Sequence, residues 1–170
     1  MIIWLIGLSG AGKTTLAKKI ISDVNKNDTN TILLDGDLVR DIFDNDLNFT
    51  MRDRLLNAKR ICRLGKFLDD QGINVVCSIL SIFPETREWN RKNIKNYFEV
   101  FIDTPIETLV ARDPKNIYAK FKRGEISNVV GMDIEFTKPK NSDLVIKNNR
   151  SKEDLLKYSD ELVNLLRNRK

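Results

Sequence analysis

Apolar residues recur along this chain in short runs separated by longer amphipathic stretches. Runs at 2–6, 32–34, 73–77, 98–102 and, more weakly, 144–146 have the length and continuity of strands buried on both faces. After the first run Leu16, Ile20 and Val24 repeat every four residues with Ala17 and Ile21 beside them, predicting a helix with one apolar stripe that ends within 25–30. Thr50 followed by Asp53 predicts a capped helix start, and Gly72 supplies its C-terminal stop. Ser151 with Asp154 repeats the signal ahead of Leu155, Tyr158, Leu162 and Leu166. Strands alternating with helices predict right-handed crossovers and a five-stranded parallel sheet covered on both faces, a three-layer α/β fold.

Composition narrows the function. The 170 residues, 41% hydrophobic and 31% charged with only 8 glycines and 4 prolines, fit a single domain over 1–170 with no internal linker. The absence of histidine excludes serine-histidine-aspartate hydrolysis, cysteine-histidine proteolysis and histidine-ligated zinc. Cys62 and Cys77 are too few for a disulfide framework, which points to a reducing cytoplasm. The opening apolar run lacks a basic flank and stops at Gly7, too short for a signal peptide or a membrane span, so a cytoplasmic protein with no membrane partner is expected. A net charge of +5 favours anionic ligands. Basic residues are interleaved with acidic ones and no nucleic-acid-binding motif is present, so the expected partner is a small-molecule nucleotide and not a nucleic acid. A homodimer is left open.

Gly7-Leu8-Ser9-Gly10-Ala11-Gly12-Lys13-Thr14 matches the phosphate-loop pattern G-x-x-x-x-G-K-[ST], between an apolar strand and an amphipathic helix as that pattern requires. Its glycines let backbone N–H groups turn inward around a polyphosphate, and the helix start adds its positive end. Lys13 then bridges the β and γ phosphates of ATP, and Thr14 offers a hydroxyl to Mg2+. A second apparent motif, Asn25-Lys26-Asn27-Asp28, resembles the guanine-selecting NKxD of GTPases but falls at a helix end and not after a downstream strand; a polar helix terminus explains it, and no preference for GTP follows.

The second strand runs into Leu34-Asp35-Gly36-Asp37, which places two carboxylates at the carboxyl end of the sheet, where open α/β folds bind ligands. Asp37 is the stronger catalytic candidate: it can hold magnesium through water or accept a proton from an attacking hydroxyl. Both aspartates also fit capping of a short helix at 38–43. Arg40, about one turn past Asp37, can face the same pocket. Trp4 and Trp89 are expected to pack and not to stack on a base. Asp103, followed by Thr104-Pro105, fits an N-cap at least as well as a metal ligand. Between 112 and 140 the basic residues Arg112, Lys115, Lys120, Lys122 and Arg123, with Gly124 and Gly131, suggest a mobile lid that excludes water from a phosphoryl transfer.

Together these motifs resemble the adenylylsulfate kinases, P-loop kinases that phosphorylate the ribose 3′-hydroxyl of adenosine 5′-phosphosulfate with MgATP. Residues 7–15 are similar to that family's GLSGAGKTT, Leu34-Asp35-Gly36-Asp37-Leu38-Val39-Arg40 to its LDGDNVR, and Asp46-Leu47-Asn48-Phe49 with Arg54 and Asn57 to its DLGF segment and R-x-x-N helix. Phe101-Ile102-Asp103-Thr104-Pro105, Arg112-Asp113-Pro114-Lys115 and Tyr118 resemble its fourth strand and lid.

The resemblance implies that ATP is held by Gly7, Ser9, Gly10, Ala11, Gly12, Lys13, Thr14, Thr15 and Arg112, and magnesium by Thr14 and Asp37. Lys13 and Asp37 would be catalytic. Asp37, Arg40, Arg54, Asn57, Ser81 and Lys115 would contact the second nucleotide, with Phe49 stacked on its base.

The chain departs from the family where SPYR is replaced by Ser81-Ile82-Phe83-Pro84, where an aromatic residue is replaced by Val129, and where PYE is replaced by Ile134-Glu135-Phe136. A different activated nucleotide, such as cytidine diphosphoramidate, is therefore an alternative acceptor. A non-catalytic ATP switch or nucleic-acid module, and a small-metabolite kinase, are rival readings; the last leaves Phe49, Arg54 and Asn57 unexplained.

Overall fold

The computed structural model describes residues 1–25 and 30–168. Of the NKxD-like tetrad only Asn25 falls within them; it is the C-cap of the first helix. Five strands, β1 (Ile2–Ile6), β2 (Thr31–Asp35), β3 (Asn74–Ile79), β4 (Tyr97–Asp103) and β5 (Leu144–Lys147), form one parallel sheet in the order β2-β3-β1-β4-β5. Eight helices lie between and after them among the described residues: α1 (Lys13–Val24), α2 (Gly36–Ile42), α3 (Met51–Asp70), α4 (Pro84–Asn93), α5 (Ile106–Arg112), α6 (Ile117–Lys122), α7 (Lys152–Leu156) and α8 (Ser159–Arg167).

Two-residue alternation along the central strand β1 divides the core. Ile3 and Leu5 pack with Leu16, Ile20, Leu162 and Leu166 of α1 and α8, whereas Ile2, Trp4 and Ile6 pack with Val39, Ile61 and Cys62 of α2 and α3. Every β1 side chain is fully buried, each worth roughly 1.5–3 kcal/mol for the aliphatic ones, so the sheet is anchored from both faces. Because all strands run the same way, the loops after β1, β2, β3 and β4 emerge at one edge.

The expected caps are present, with differences. Thr50 accepts from Asp53 N (3.2 Å) to start α3, but the Asp53 carboxylate accepts from Asn48 N (3.2 Å), outside the capping box, and so ties down the loop ahead of the helix. Gln71 is the C-cap, and Gly72 follows at φ 80°. Ser151 caps α7 through Asp154 N (3.1 Å). The helix expected to continue through Leu166 breaks after Leu156, where the Ser159 hydroxyl donates to Leu156 O (2.7 Å) and competes with the helical ladder.

Asp103 does not cap α5; Pro105 occupies that position without a side-chain bond. Two cations draw the Asp103 carboxylate away: it accepts from Lys138 (2.9 Å) and Lys147 (2.5 Å), and its pKa is lowered, burial opposing the shift that the two lysines impose. Trp4 is buried, and Arg63 lies 4.1 Å over the Trp89 ring. Both cysteines are free and buried, and burial raises the Cys62 thiol to about 12. No helix of the described residues is long and apolar enough to cross a membrane.

Candidate active site

The loop that leaves β1 turns sharply into α1. A Cβ at Gly7 would lie 2.9 Å from Ile102 O, and one at Gly12, whose φ is 93°, would lie 2.5 Å from Leu155 Cδ2. Only glycine fits either position. Lys13 opens α1 and donates Nζ to Leu8 O at 2.8 Å. Burial lowers its ammonium from 10.5 to about 8; Asp35 opposes that shift most strongly, Lys115 adds to it and Asp37 also opposes it.

Thr14 and Thr15 lie in the first turn of α1. The Thr14 hydroxyl donates to Asp35 Oδ2 at 3.0 Å and lies 3.0 Å from Ser78 Oγ. Asp35 and Ser78 face each other in the β2–β3 register, which brings both to this point. The other Asp35 oxygen accepts from Asp37 N (3.0 Å) and caps α2, so one carboxylate serves helix start and phosphate loop together. The carboxylate bonded to Thr14 is thus that of Asp35. That of Asp37 is exposed and accepts from Lys115 Nζ at 2.6 Å.

Thr14, Asp35 and Ser78 offer hard oxygen donors, which suits magnesium. Among the described residues no group of three or more His, Cys, Asp or Glu is placed to hold a metal ion.

A cavity of about 740 Å³ is lined both by Lys13, Thr14 and Asp37 and by Phe49, Arg54 and Asn57. Phe49 is half exposed, with the Arg40 guanidinium 4.7 Å and the Arg54 guanidinium 5.3 Å from its ring centroid. Arg40 is buried and donates to Leu47 O (2.9 Å) and Asn48 O (3.1 Å). Arg54 donates Nε to Phe49 O (2.8 Å) and Nη2 to Asn128 O (2.7 Å), joining the Phe49 loop to the segment before Val129. Asn57 donates to Gly36 O (3.3 Å), while its buried Oδ1 has no hydrogen-bond partner among the described residues.

Ser81 also lines the cavity, but its hydroxyl accepts from Trp4 Nε1 (2.9 Å) and its carbonyl from Arg87 (2.5 Å), which together hold its φ of 54°. Lys115 lines the cavity as well. Arg112, last residue of α5, donates to Arg150 O (2.8 Å).

Two residues of the site, Ser78 and Asn148, are not singled out by the sequence, and Tyr118 is placed only in the lid, with no contact to the phosphate loop expected of it. Ser78 carries the weak signal of being the first polar residue after an apolar run. Tyr118, whose hydroxyl donates to Ser9 O (2.9 Å), and Asn148, whose Nδ2 donates to Ala11 O (2.9 Å), carry no local signal for these contacts.

A family model described as adenylylsulphate kinase matches residues 1–147. Cytidine diphosphoramidate kinase of Campylobacter jejuni is 42% identical over 147 residues, covering 86% of this chain and 85% of that protein. Adenylyl-sulfate kinase of Buchnera aphidicola is 36% identical over 170 residues, covering 99% and 81%. Among solved structures, the Mycobacterium tuberculosis APS kinase CysC in complex with AMPPNP and APS superposes with a TM-score of 0.88 at 35% identity, over 98% of this chain and 96% of that one. With a glycine cradle, a cavity that runs from it to Phe49 and Arg54, and this similarity over most of the sequence, the chain belongs to the adenylylsulphate kinase family.

Proposed function

We propose that the chain is an ATP-dependent kinase that phosphorylates the ribose 3′-hydroxyl of an activated nucleotide, with adenosine 5′-phosphosulfate as the first reading of the acceptor. The cavity supports this most directly: one continuous space is bordered by the phosphate-loop residues Lys13 and Thr14 and by an aromatic ring flanked by two guanidinium groups. That second set suits a base and an anionic 5′ substituent, with stacking on Phe49 worth roughly 1–3 kcal/mol.

In this reading the loop amides and Lys13 hold the β and γ phosphates, Lys13 exchanging its bond to Leu8 O for phosphate oxygen. Thr14 and Asp35 would hold magnesium, directly or through water, with Asp37 beside them; when bound, the ion neutralises charge on the phosphate oxygens. Asp37 accepts the hydrogen bond of the 3′-hydroxyl and orients its oxygen toward phosphorus. The O–P bond forms as the bridging β–γ P–O bond breaks, ADP leaves, and the hydroxyl proton passes through Asp37 to solvent. Lys115, relieved of Asp37, faces the transferring group. Positioning and charge neutralisation supply the acceleration, and no covalent enzyme intermediate is needed. The segment 112–140 acts as the lid.

A second acceptor, cytidine diphosphoramidate, is supported by the 42% identity to the Campylobacter enzyme and by Val129, where a branched aliphatic side chain leaves one face of the base without an aromatic partner. ADP release from MgATP with adenylylsulfate or cytidine diphosphoramidate as sole acceptor separates the two. A kcat/KM for one exceeding the other by about a hundredfold assigns the base, and turnover with neither removes both.

A further inference from the structure

Two buried side chains from outside the phosphate loop hold its carbonyl groups. Tyr118 is 1% exposed and donates its hydroxyl to Ser9 O; Asn148 is 4% exposed and donates Nδ2 to Ala11 O, each at 2.9 Å. Both donors are themselves anchored. The Asp113 carboxylate accepts from Tyr118 N (3.2 Å) and Ala119 N (2.8 Å), fixing the start of α6, and Asn148 N donates to Asp103 O (2.9 Å) where β5 ends.

A peptide unit is planar and trans, so its C=O and the following N–H point in opposite directions. Anchoring Ser9 C=O therefore turns Gly10 N–H away from Tyr118, and anchoring Ala11 C=O turns Gly12 N–H away from Asn148. These are the two units in the loop most in need of an external anchor: Gly10 and Gly12 have φ of 78° and 93°, and neither has a side chain to restrict its rotation. The carbonyl of Leu8 is held from within, by Lys13 Nζ and by Ala11 N (3.2 Å).

We propose that Tyr118 and Asn148 are positioning residues for the phosphoryl donor, holding alternate carbonyls of the loop so that the Gly10 and Gly12 amides face the triphosphate. The proposal rests on the reading of this loop as the ATP site. It also gives α6 a role in donor binding: the segment that carries Lys115 toward Asp37 carries, three residues on, the hydroxyl that sets the loop.

Calorimetric titration of the full chain with MgAMPPNP, together with KM for ATP and for the acceptor, tests this. Tyr118→Phe removes only the hydroxyl, and Asn148→Leu removes the carboxamide, donor and acceptor together, at similar volume. Each is expected to weaken AMPPNP about tenfold, the loss of one hydrogen bond, and to raise KM for ATP equally while KM for the acceptor stays within about twofold. Unchanged AMPPNP affinity in both variants, or an equal rise in both KM values, overturns the positioning role. A parent chain that bound no AMPPNP would overturn the donor reading itself, a result distinct from a parent that binds while its variants match it.

Discussion

Lys115 Nζ lies 2.6 Å from Asp37 Oδ2, an ion pair that spans 78 residues of sequence and joins the segment between α5 and α6 to the first turn of α2. Both side chains are more than half exposed, and exposed pairs contribute at most about 1 kcal/mol. The contact can therefore open readily, which suits the proposed roles of the two groups, each exchanging the other for substrate. Lys115→Ala is expected to change unfolding free energy by less than about 1 kcal/mol while lowering kcat at least tenfold; denaturant titration beside steady-state kinetics checks both.

Lys13 gives a pH signature. Its ammonium is held near 8 against an ordinary 10.5, mainly by burial, so the charged form is disfavoured in the fold. Below pH 8 folded and unfolded chains both carry the proton, and the folded one bears the full penalty. Between 8 and 10.5 the folded lysine is neutral while the unfolded one is still charged, and the penalty fades. Lys13→Met should therefore raise Tm at pH 7, by an amount that shrinks as pH rises from 8 to 10.5, and should reduce kcat by orders of magnitude. In the parent, kcat/KM for ATP should fall above about pH 8 as the free enzyme loses this charge.

Arg54 borders the cavity beside Phe49 and Asn128, on the side proposed for the acceptor. Arg54→Ala should raise KM for the nucleotide acceptor at least tenfold and leave KM for ATP within about twofold. A rise confined to ATP would move the acceptor site elsewhere.

Gly12 and Gly124 share a left-handed φ, 93° and 72°, but differ in surroundings: a Cβ at Gly12 would meet Leu155 Cδ2 at 2.5 Å, while nothing lies within 4 Å at Gly124. Gly124→Ala should cost about 1–2 kcal/mol, the backbone term alone. Gly12→Ala should cost about 1–3 kcal/mol beyond that and abolish AMPPNP binding. Parallel denaturant melts measure the difference.

How much of this could be read in advance depends on the range of the interaction. All five strands, the stripe of α1 and the caps at Thr50 and Ser151 follow from residues that are near neighbours in sequence. The phosphate loop carries its own geometry in its glycines. Asp35 was visible as a carboxylate, but its contact with Thr14 depends on the pairing of β2 with β3, which local pattern does not specify. The same holds for Asp103, redirected by Lys138 and Lys147, and for Tyr118 and Asn148, whose partners lie 109 and 137 residues away. The helix breaks after Leu156 although the apolar stripe runs on, and the Ser159 hydroxyl donates to Leu156 O at the break.

The decisive measurement is phosphorus NMR of the products formed from MgATP and either adenylylsulfate or cytidine diphosphoramidate. The account predicts one new phosphomonoester on the 3′-oxygen of the acceptor, appearing in step with ADP. ADP accompanied only by free phosphate, or a new phosphate at any other position, would contradict it.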